Sequence, residues 1–340
     1  MARKEMYKMR YVTLVLCLLF SILLEEGCSQ SSPQKTPSSA ISIGGHTTQL
    51  GACLKIAESK GLYTKYGLQA SIKLVESSKQ SMAAMEAGDL DVVIGSLAAG
   101  SFNMVKKGDL VILADGSRVV PSVVIRKDLS DGGQIRALTD LKGRSIMTPR
   151  EGSSSYYALS RILRGLGLRI EDVQPKYLED SEAVASLEAK QIDAAILNEP
   201  YATLAVEKGL GIRFDMNEVA KFFPVNGQQH MVIFTTRKNL EQKADLLRNF
   251  LKAYVEAAQW YGEARSGKQP QRTEAIQIIA AYTGSDPKTV DAAVWPYVSP
   301  DGKPDVAYIK EMHDYFLQQG LADAPVDLDK AIHLELLPGN

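Results

Sequence analysis

Residues 83–96, AAMEAGDLDVVIGS, recur as residues 185–198, ASLEAKQIDAAILN, at a constant shift of 102. Glu86 meets Glu188, Ala87 meets Ala189, Asp91 meets Asp193 and Ile94 meets Ile196, while Met85/Leu187 and Leu90/Ile192 are apolar exchanges. Upstream, YGLQASIKLVES is similar to LGLRIEDVQPKYLED once small gaps are allowed, and ISIGG then corresponds to RSIMT. Similarity within a chain at fixed spacing marks one supersecondary unit used more than once. The chain therefore holds two related units.

Each unit alternates strand and helix. ISIGG reads as a strand, Leu50–Gly61 as an amphipathic helix, GLYTKYGLQASIKLVES as a turn and strand, SMAAMEAGDL as a helix and DVVIGS as a strand. That β-α-β-α-β order predicts an α/β fold with a mainly parallel sheet. DVVIG and DAAIL are continuous apolar runs, as strands covered on both faces require. After Phe234 the alternation stops. Asn239–Ala264 reads as a long helix, and TEAIQIIAAYTG, PKTVDAAVWPYV and VAYIKEMHDYFLQQGL as further helices that buttress the sheets, with Trp295 in packing.

Each unit also carries a polar loop between its first strand and first helix. In the second unit this is Glu151-Gly152-Ser153-Ser154-Ser155, leading into Tyr156, Leu159, Ile162 and Leu163 at helical spacing. Serine is a good helix cap. A helix N-terminus with free N–H groups also suits an anion. The two readings are compatible, since one serine can cap while another meets a ligand. The partner loop is Gly44-Gly45-His46-Thr47-Thr48-Gln49. In open α/β sheets ligands bind beyond the carboxyl ends of the strands, so facing units would put both loops on one cleft that can close by hinge motion.

The N-terminus reads as a targeting segment. Arg3, Lys4, Lys8 and Arg10 precede the apolar run Tyr11–Leu24, which is short for a membrane span. Gly27-Cys28 and a Ser/Pro-rich stretch follow. This resembles a bacterial lipoprotein signal, which implies lipid on Cys28 and a tethered exported domain; Glu25 and Glu26 stand where small or apolar residues are usual. Of three cysteines only Cys53 remains beyond Cys17 and Cys28, so it is expected to pack as a small buried hydrophobe. Formal net charge is −1, which gives no overall field to recruit nucleic acid.

The chain resembles solute-binding proteins of ABC importers, in the nitrate/sulfonate/taurine group that includes thiamine-pyrimidine-synthase-like proteins. The resemblance rests on ESKGLYTKYGL, MEAGDLDVVIGS, TDLKGRSI, EGSSSYYALSRILRGLGLRIEDV and LEAKQIDAAILNEPYA, in that order from about residue 41 onward. It implies a two-lobed periplasmic-binding-protein fold (type II), with hinge crossovers near Pro121–Lys127 and Gln229–Thr236. The expected division is a signal peptide 1–27, a tether 28–40, lobe I over 41–124, lobe II over 125–231, and a return to lobe I with C-terminal helices over 232–340. The ligand contacts it implies are His46, Thr47, Thr48, Gln49, Ser96, Leu97, Gly152, Ser153, Ser154, Ser155, Asn198, Glu199 and Tyr201, with Arg150, Asn226 and His230 as further candidates. Glu199 could instead hold its loop by accepting backbone N–H bonds.

Enzyme chemistry finds little footing. The four histidines show no HExxH or Cys/His metal spacing, and neither a GxSxG elbow nor a GxxxxGK[ST] loop is present. The iron-binding cysteine-rich motif of pyrimidine synthases has no counterpart. A regulator's sensor domain would need a helix-turn-helix where the signal stands, and a receptor would need a second span. The expectation is a monomeric, exported, lipid-anchored binding protein without metal or cofactor, delivering a small solute to a permease served by a separate ATPase. The favoured solute is a sulfonate or carboxylate; the alternative is a neutral or cationic heterocycle such as a pyrimidine or vitamin precursor.

Overall fold

A computed structural model describes residues 39–75 and 78–339. The targeting segment, Cys28 and nearly all of the tether lie outside the described residues. The first half runs β1 (Ala40–His46), α1 (Ala52–Ser59), β2 (Gln69–Val75), α2 (Ser78–Glu86), β3 (Val92–Ser96), α3 (Ala99–Lys106) and β4 (Leu110–Val119). The second runs β5 (Ser122–Arg126), β6 (Ser145–Thr148), α4 (Ser154–Gly165), β7 (Gln174–Tyr177), α5 (Asp180–Glu188), β8 (Ala194–Leu197), α6 (Tyr201–Glu207) and β9 (Gly211–Arg213). Then come β10 (Gln228–Thr236), α7 (Ala244–Arg265), α8 (Gln271–Thr283) and α9 (Val306–Gln318), with shorter helices between.

The strands form two five-stranded sheets of matching order, β2-β1-β3-β10-β4 and β7-β6-β8-β5-β9. In each, the first three strands are parallel and the fourth is antiparallel to its neighbours. That fourth strand is the one that arrives from the other lobe: β5 follows β4, and β10 follows β9.

The repeated aspartate has a mechanical reason. The Asp91 Oδ2 accepts from the backbone N–H of Ser42 at 2.8 Å and from its hydroxyl at 3.0 Å. Asp193 does the same to Ser145, at 3.0 Å from both N–H and hydroxyl. Each carboxylate therefore pins the start of the first strand of its sheet to the start of the third. The register agrees, with Ile43 opposite Val92 in one sheet and Ile146 opposite Ala194 in the other.

The lobes are joined by two crossings, at Val120-Pro121 and at 224–227. Boundaries expected after residues 124 and 231 both fall inside strands, β5 and β10. The segments expected as hinges are largely extended, hydrogen-bonded strand, because each crossing strand completes the sheet it enters. The two crossings touch. Gly227 has φ +84°, and a Cβ there would stand 2.3 Å from the carbonyl carbon of Val119, so only glycine fits.

The C-terminal helices cover the first sheet. Leu247, Phe250, Leu251 and Tyr254 of α7 share a core with Ile41, Ile43 and Val92. Tyr308, Ile309 and Phe316 of α9 pack with Val93 and Ile112, and α4 of the second lobe sends Tyr156 and Tyr157 into the same cluster. The long helix expected over 239–264 is interrupted at Lys243, whose ammonium pairs with Asp91. The helix expected across PKTVDAAVWPYV stops at Ala292. Pro296 disfavours helix at the residue before it, and Trp295 is buried against Tyr261 with ring centroids 5.5 Å apart. Cys53 is buried in the first lobe, where desolvation pushes its thiol up, as suits an unreactive hydrophobe.

Candidate ligand-binding cleft

A cavity of about 50 Å³ lies between the lobes, beyond the carboxyl ends of β1, β3, β6 and β8. It is lined by His46, Thr47, Thr48 and Ser96 from the first lobe, with His230 of β10, and by Arg150, Ser153, Ser154, Ser155, Asn198 and Tyr201 from the second. Leu50, Pro149, Glu179, Asp180, Ser181 and Met231 line it as well. Both polar loops thus face one cavity, which has room for a small head group.

The serine run divides its labour. Ser153 is the cap of α4: its Oγ accepts from the Tyr156 N–H at 3.1 Å and donates to the Arg150 carbonyl at 2.7 Å. The Ser153 carbonyl accepts from the Tyr157 N–H at 2.9 Å. The first N–H groups of a helix have no partner within it; Ser154 and Ser155 open α4, and both residues line the cavity. The Ser154 hydroxyl lies 3.2 Å from Nε2 of His230, across the cleft. Ser155 supplies a hydroxyl to the cavity wall. Gly152, at φ +69°, turns the chain into the helix, and its carbonyl accepts from the Ala99 N–H at 2.9 Å.

Charge is concentrated on the second lobe. Arg150 is half-buried, and desolvation pulls its pKa below the ordinary value while nearby Glu179 works the other way. Asp180, which sequence reasoning missed, opens α5 and is buried at the cavity. Its Oδ2 accepts from Asn198 Nδ2 at 2.8 Å, whereas Oδ1 is buried with no partner. Burial raises the Asp180 carboxyl to about 7, against the Asn198 hydrogen bonds. His230 is held between Ser154 and Gln228, and burial first, then His46, lowers it to about 3. It is therefore neutral at physiological pH and offers hydrogen bonding rather than charge. His46 Nδ1 lies 3.2 Å from the Thr48 hydroxyl, so that side chain has a local partner.

Five expected contacts do not line this cavity. Leu97 is a core residue, because its side chain turns into the apolar cluster behind β3. Gly152 joins the lobes through its carbonyl and does not line this cavity. The Glu199 carboxylate holds its own surroundings together, accepting from Arg213 at 2.6 Å, the Thr203 N–H at 3.1 Å and the Val294 N–H at 3.2 Å. Gln49 and Asn226 line a separate cavity behind this one.

The lobes are in contact around the cleft. Besides the Ala99–Gly152 bond, the Gln49 N–H reaches the Glu199 carbonyl at 3.4 Å and Thr289 donates to Glu207 at 2.7 Å. Tyr157 meets Tyr308, Tyr315 and Phe316 at centroid distances of 5.7, 5.1 and 5.8 Å. Among the described residues no cluster of His, Cys, Asp or Glu is placed to hold a metal, and no helix is long and apolar enough to cross a membrane.

Two α/β lobes thus meet around one polar cavity. The chain belongs to the NMT1-like family, which residues 34–280 match. It is 25% identical over 337 residues to an Escherichia coli (strain K12) protein named for binding aliphatic sulfonates, covering 94% of this chain and 95% of that one. The crystal structure of the periplasmic aliphatic sulphonate binding protein SsuA from Escherichia coli superposes with a TM-score of 0.69 at 22% identity, over 87% of this chain and 92% of that one. The periplasmic nitrate-binding protein NrtA from Synechocystis PCC 6803 gives 0.67 at 14% identity, over 88% and 87%. These likenesses establish the two-lobed periplasmic-binding-protein fold. The chain is a substrate-binding protein of the ABC-importer kind and not an enzyme.

Proposed function

We propose that the protein captures a small organic anion, a sulfonate above all, between its lobes and delivers it to an ABC permease driven by a separate ATPase. One observation carries the reading: Arg150 and the first two residues of α4, Ser154 and Ser155, line one small cavity. Helix N–H groups and a guanidinium both suit a tetrahedral oxyanion. The relative named for aliphatic sulfonates supports the choice of head group. The heterocycle reading loses its main support with Glu199 committed to Arg213.

The cycle follows from differential contacts. Solute binds at the α4 N-terminus, and closure adds the first-lobe groups; only contacts made on closure favour the closed state. The protein acts as a monomer exported by its N-terminal signal and held to the membrane by lipid on Cys28. Titration calorimetry with a short alkanesulfonate tests the reading. Arg150→Met removes a charged hydrogen bond worth about 1.5–3 kcal/mol, so affinity should fall roughly ten- to a hundredfold. Wild-type affinity in that variant, or a neutral heterocycle recovered by mass spectrometry from the purified protein, would overturn it.

A further inference from the structure

A groove of about 340 Å³ adjoins the cleft cavity and shares Ser96 and Arg150 with it. It runs between α2 and α3 of the first lobe and residues 150–152 of the second. Met82, Ala83, Ala98 and Met104 give it an apolar wall. The Ser101 hydroxyl, also in the lining, is committed to the backbone: it donates to the Ala98 carbonyl at 2.7 Å and accepts from the Ala98 N–H at 2.9 Å. Lys79, Glu86 and Glu151 complete the charged lining with Arg150, and all three are exposed. The groove therefore pairs an apolar wall with solvated charges of both signs, which recommends it to neither an anion nor a cation.

Gly100, in the first turn of α3, lines the same groove. Its backbone is helical, and a Cβ there would meet nothing within 4 Å among the described residues. Neither conformation nor packing demands glycine at this place, and glycine is a poor helix former. What it leaves is open space on the groove wall. Size then assigns the two spaces different parts of a solute. The cleft cavity of about 50 Å³ has room for a head group. A cavity of about 150 Å³ already admits benzene, and the groove exceeds that, whereas the separate cavity at Gln49 and Asn226, of about 90 Å³, does not.

We infer that this groove holds an apolar tail of the solute, which leaves the cleft past Ser96 and Arg150 while the anionic head stays at α4. The solute is then an amphiphile: a sulfonate head carrying an alkyl chain of about six carbons or an aromatic ring. The head is enclosed between the lobes and the tail lies against one open wall, so head chemistry is selected more strictly than tail length. This rests on the anion reading above and deepens it, since a head group alone would leave the Met104 and Ala83 wall uncovered.

The test is titration calorimetry of the full chain with methanesulfonate, hexane-1-sulfonate and taurine. A fully buried methylene is worth about fourfold in affinity, and one half-covered in an open groove about twofold. The five extra methylenes of hexane-1-sulfonate should therefore tighten binding about thirtyfold over methanesulfonate. Met104→Gln, similar in length and in helix propensity, should cut that gain at least threefold. Ala83→Gln, at an exposed position where folding is not at stake, should do the same. Both variants should leave the dissociation constant for methanesulfonate within twofold. Equal affinity of the two alkanesulfonates in the unaltered protein, or a gain that survives both variants, would overturn the tail groove alone. So would taurine binding more tightly than hexane-1-sulfonate, which would put an ammonium beside Glu86 or Glu151 in place of a tail. Binding of none of the three would sink the anion reading, and this inference with it.

Discussion

Asp180 should make solute binding depend on pH. Burial lifts its carboxyl from the ordinary 3.8 to about 7. At 1.36 kcal/mol per tenfold change in acidity, that rise corresponds to about 4 kcal/mol opposing ionisation in the folded protein. The folded value lies above the unfolded one, so the unfolded chain ionises first, and this group's contribution to stability is lost as pH rises from about 4 to about 7. Binding follows the same group. Protonated, Asp180 is neutral and has a hydrogen to donate; ionised, it repels a bound oxyanion. A short alkanesulfonate stays ionised throughout, so the solute adds no titration of its own. Affinity proportional to the protonated fraction falls about tenfold between pH 6 and pH 8 for a group near 7. Calorimetric titrations at pH 6, 7 and 8 read this directly. Asp180→Asn, which keeps a neutral donor in place, should flatten the profile to within twofold. A flat profile in the unaltered protein, or a slope that survives in Asp180→Asn, would refute the reasoning. A slope of opposite sign would show a cationic group of the solute facing the carboxylate.

Ser153→Ala removes the cap bond to Tyr156 and should cost about 1 kcal/mol of stability, with affinity kept within twofold; Ser155→Ala should leave the melting temperature unchanged and weaken sulfonate binding about tenfold or more. Thermal melts and calorimetry on both variants check this, and interchanged phenotypes would show the roles to be reversed. For location, Cys28→Ser should move the protein from the membrane to the soluble fraction of the cells, and an unchanged membrane fraction would exclude a lipid anchor there.

What the sequence made legible was whatever rests on local pattern. The repeat around Asp91 and Asp193 was visible because each aspartate holds its own first strand, a task needing the same residue at the same place in both lobes. The polar loops were legible for a similar reason: strand-end to helix-start geometry is local. The fate of each side chain was not. Ser153, Ser154 and Ser155 are consecutive and chemically alike, yet one caps, one reaches His230 across the cleft and one lines the cavity. Glu199 was visible as a carboxylate at a strand end, but its partners Arg213 and Val294 are set by tertiary contact. Asp180 gave no signal beyond that of a capping residue, since its raised pKa comes from burial between elements that the chain brings together only on folding.

The two lobes share a chassis but not a task. In the first, β1 is followed by a single turn of tight helix, Gln49–Gly51, before α1 starts, and no side chain caps α1. The loop there presents hydroxyls and an imidazole whose hydrogen bonds are partly local. In the second, α4 is longer, twelve residues against eight, and Ser153 caps it directly at the cavity. Arg150, Glu179 and Asp180 belong to this lobe too, so the charges that would select a solute sit together on one side. The first lobe offers neutral groups, His230 among them, kept uncharged by its own burial. A cationic histidine there would attract an anion before the lobes met. A neutral one can bond Ser154 only when the lobes come together, and it thereby couples the far wall of the cleft to the helix terminus that holds the solute.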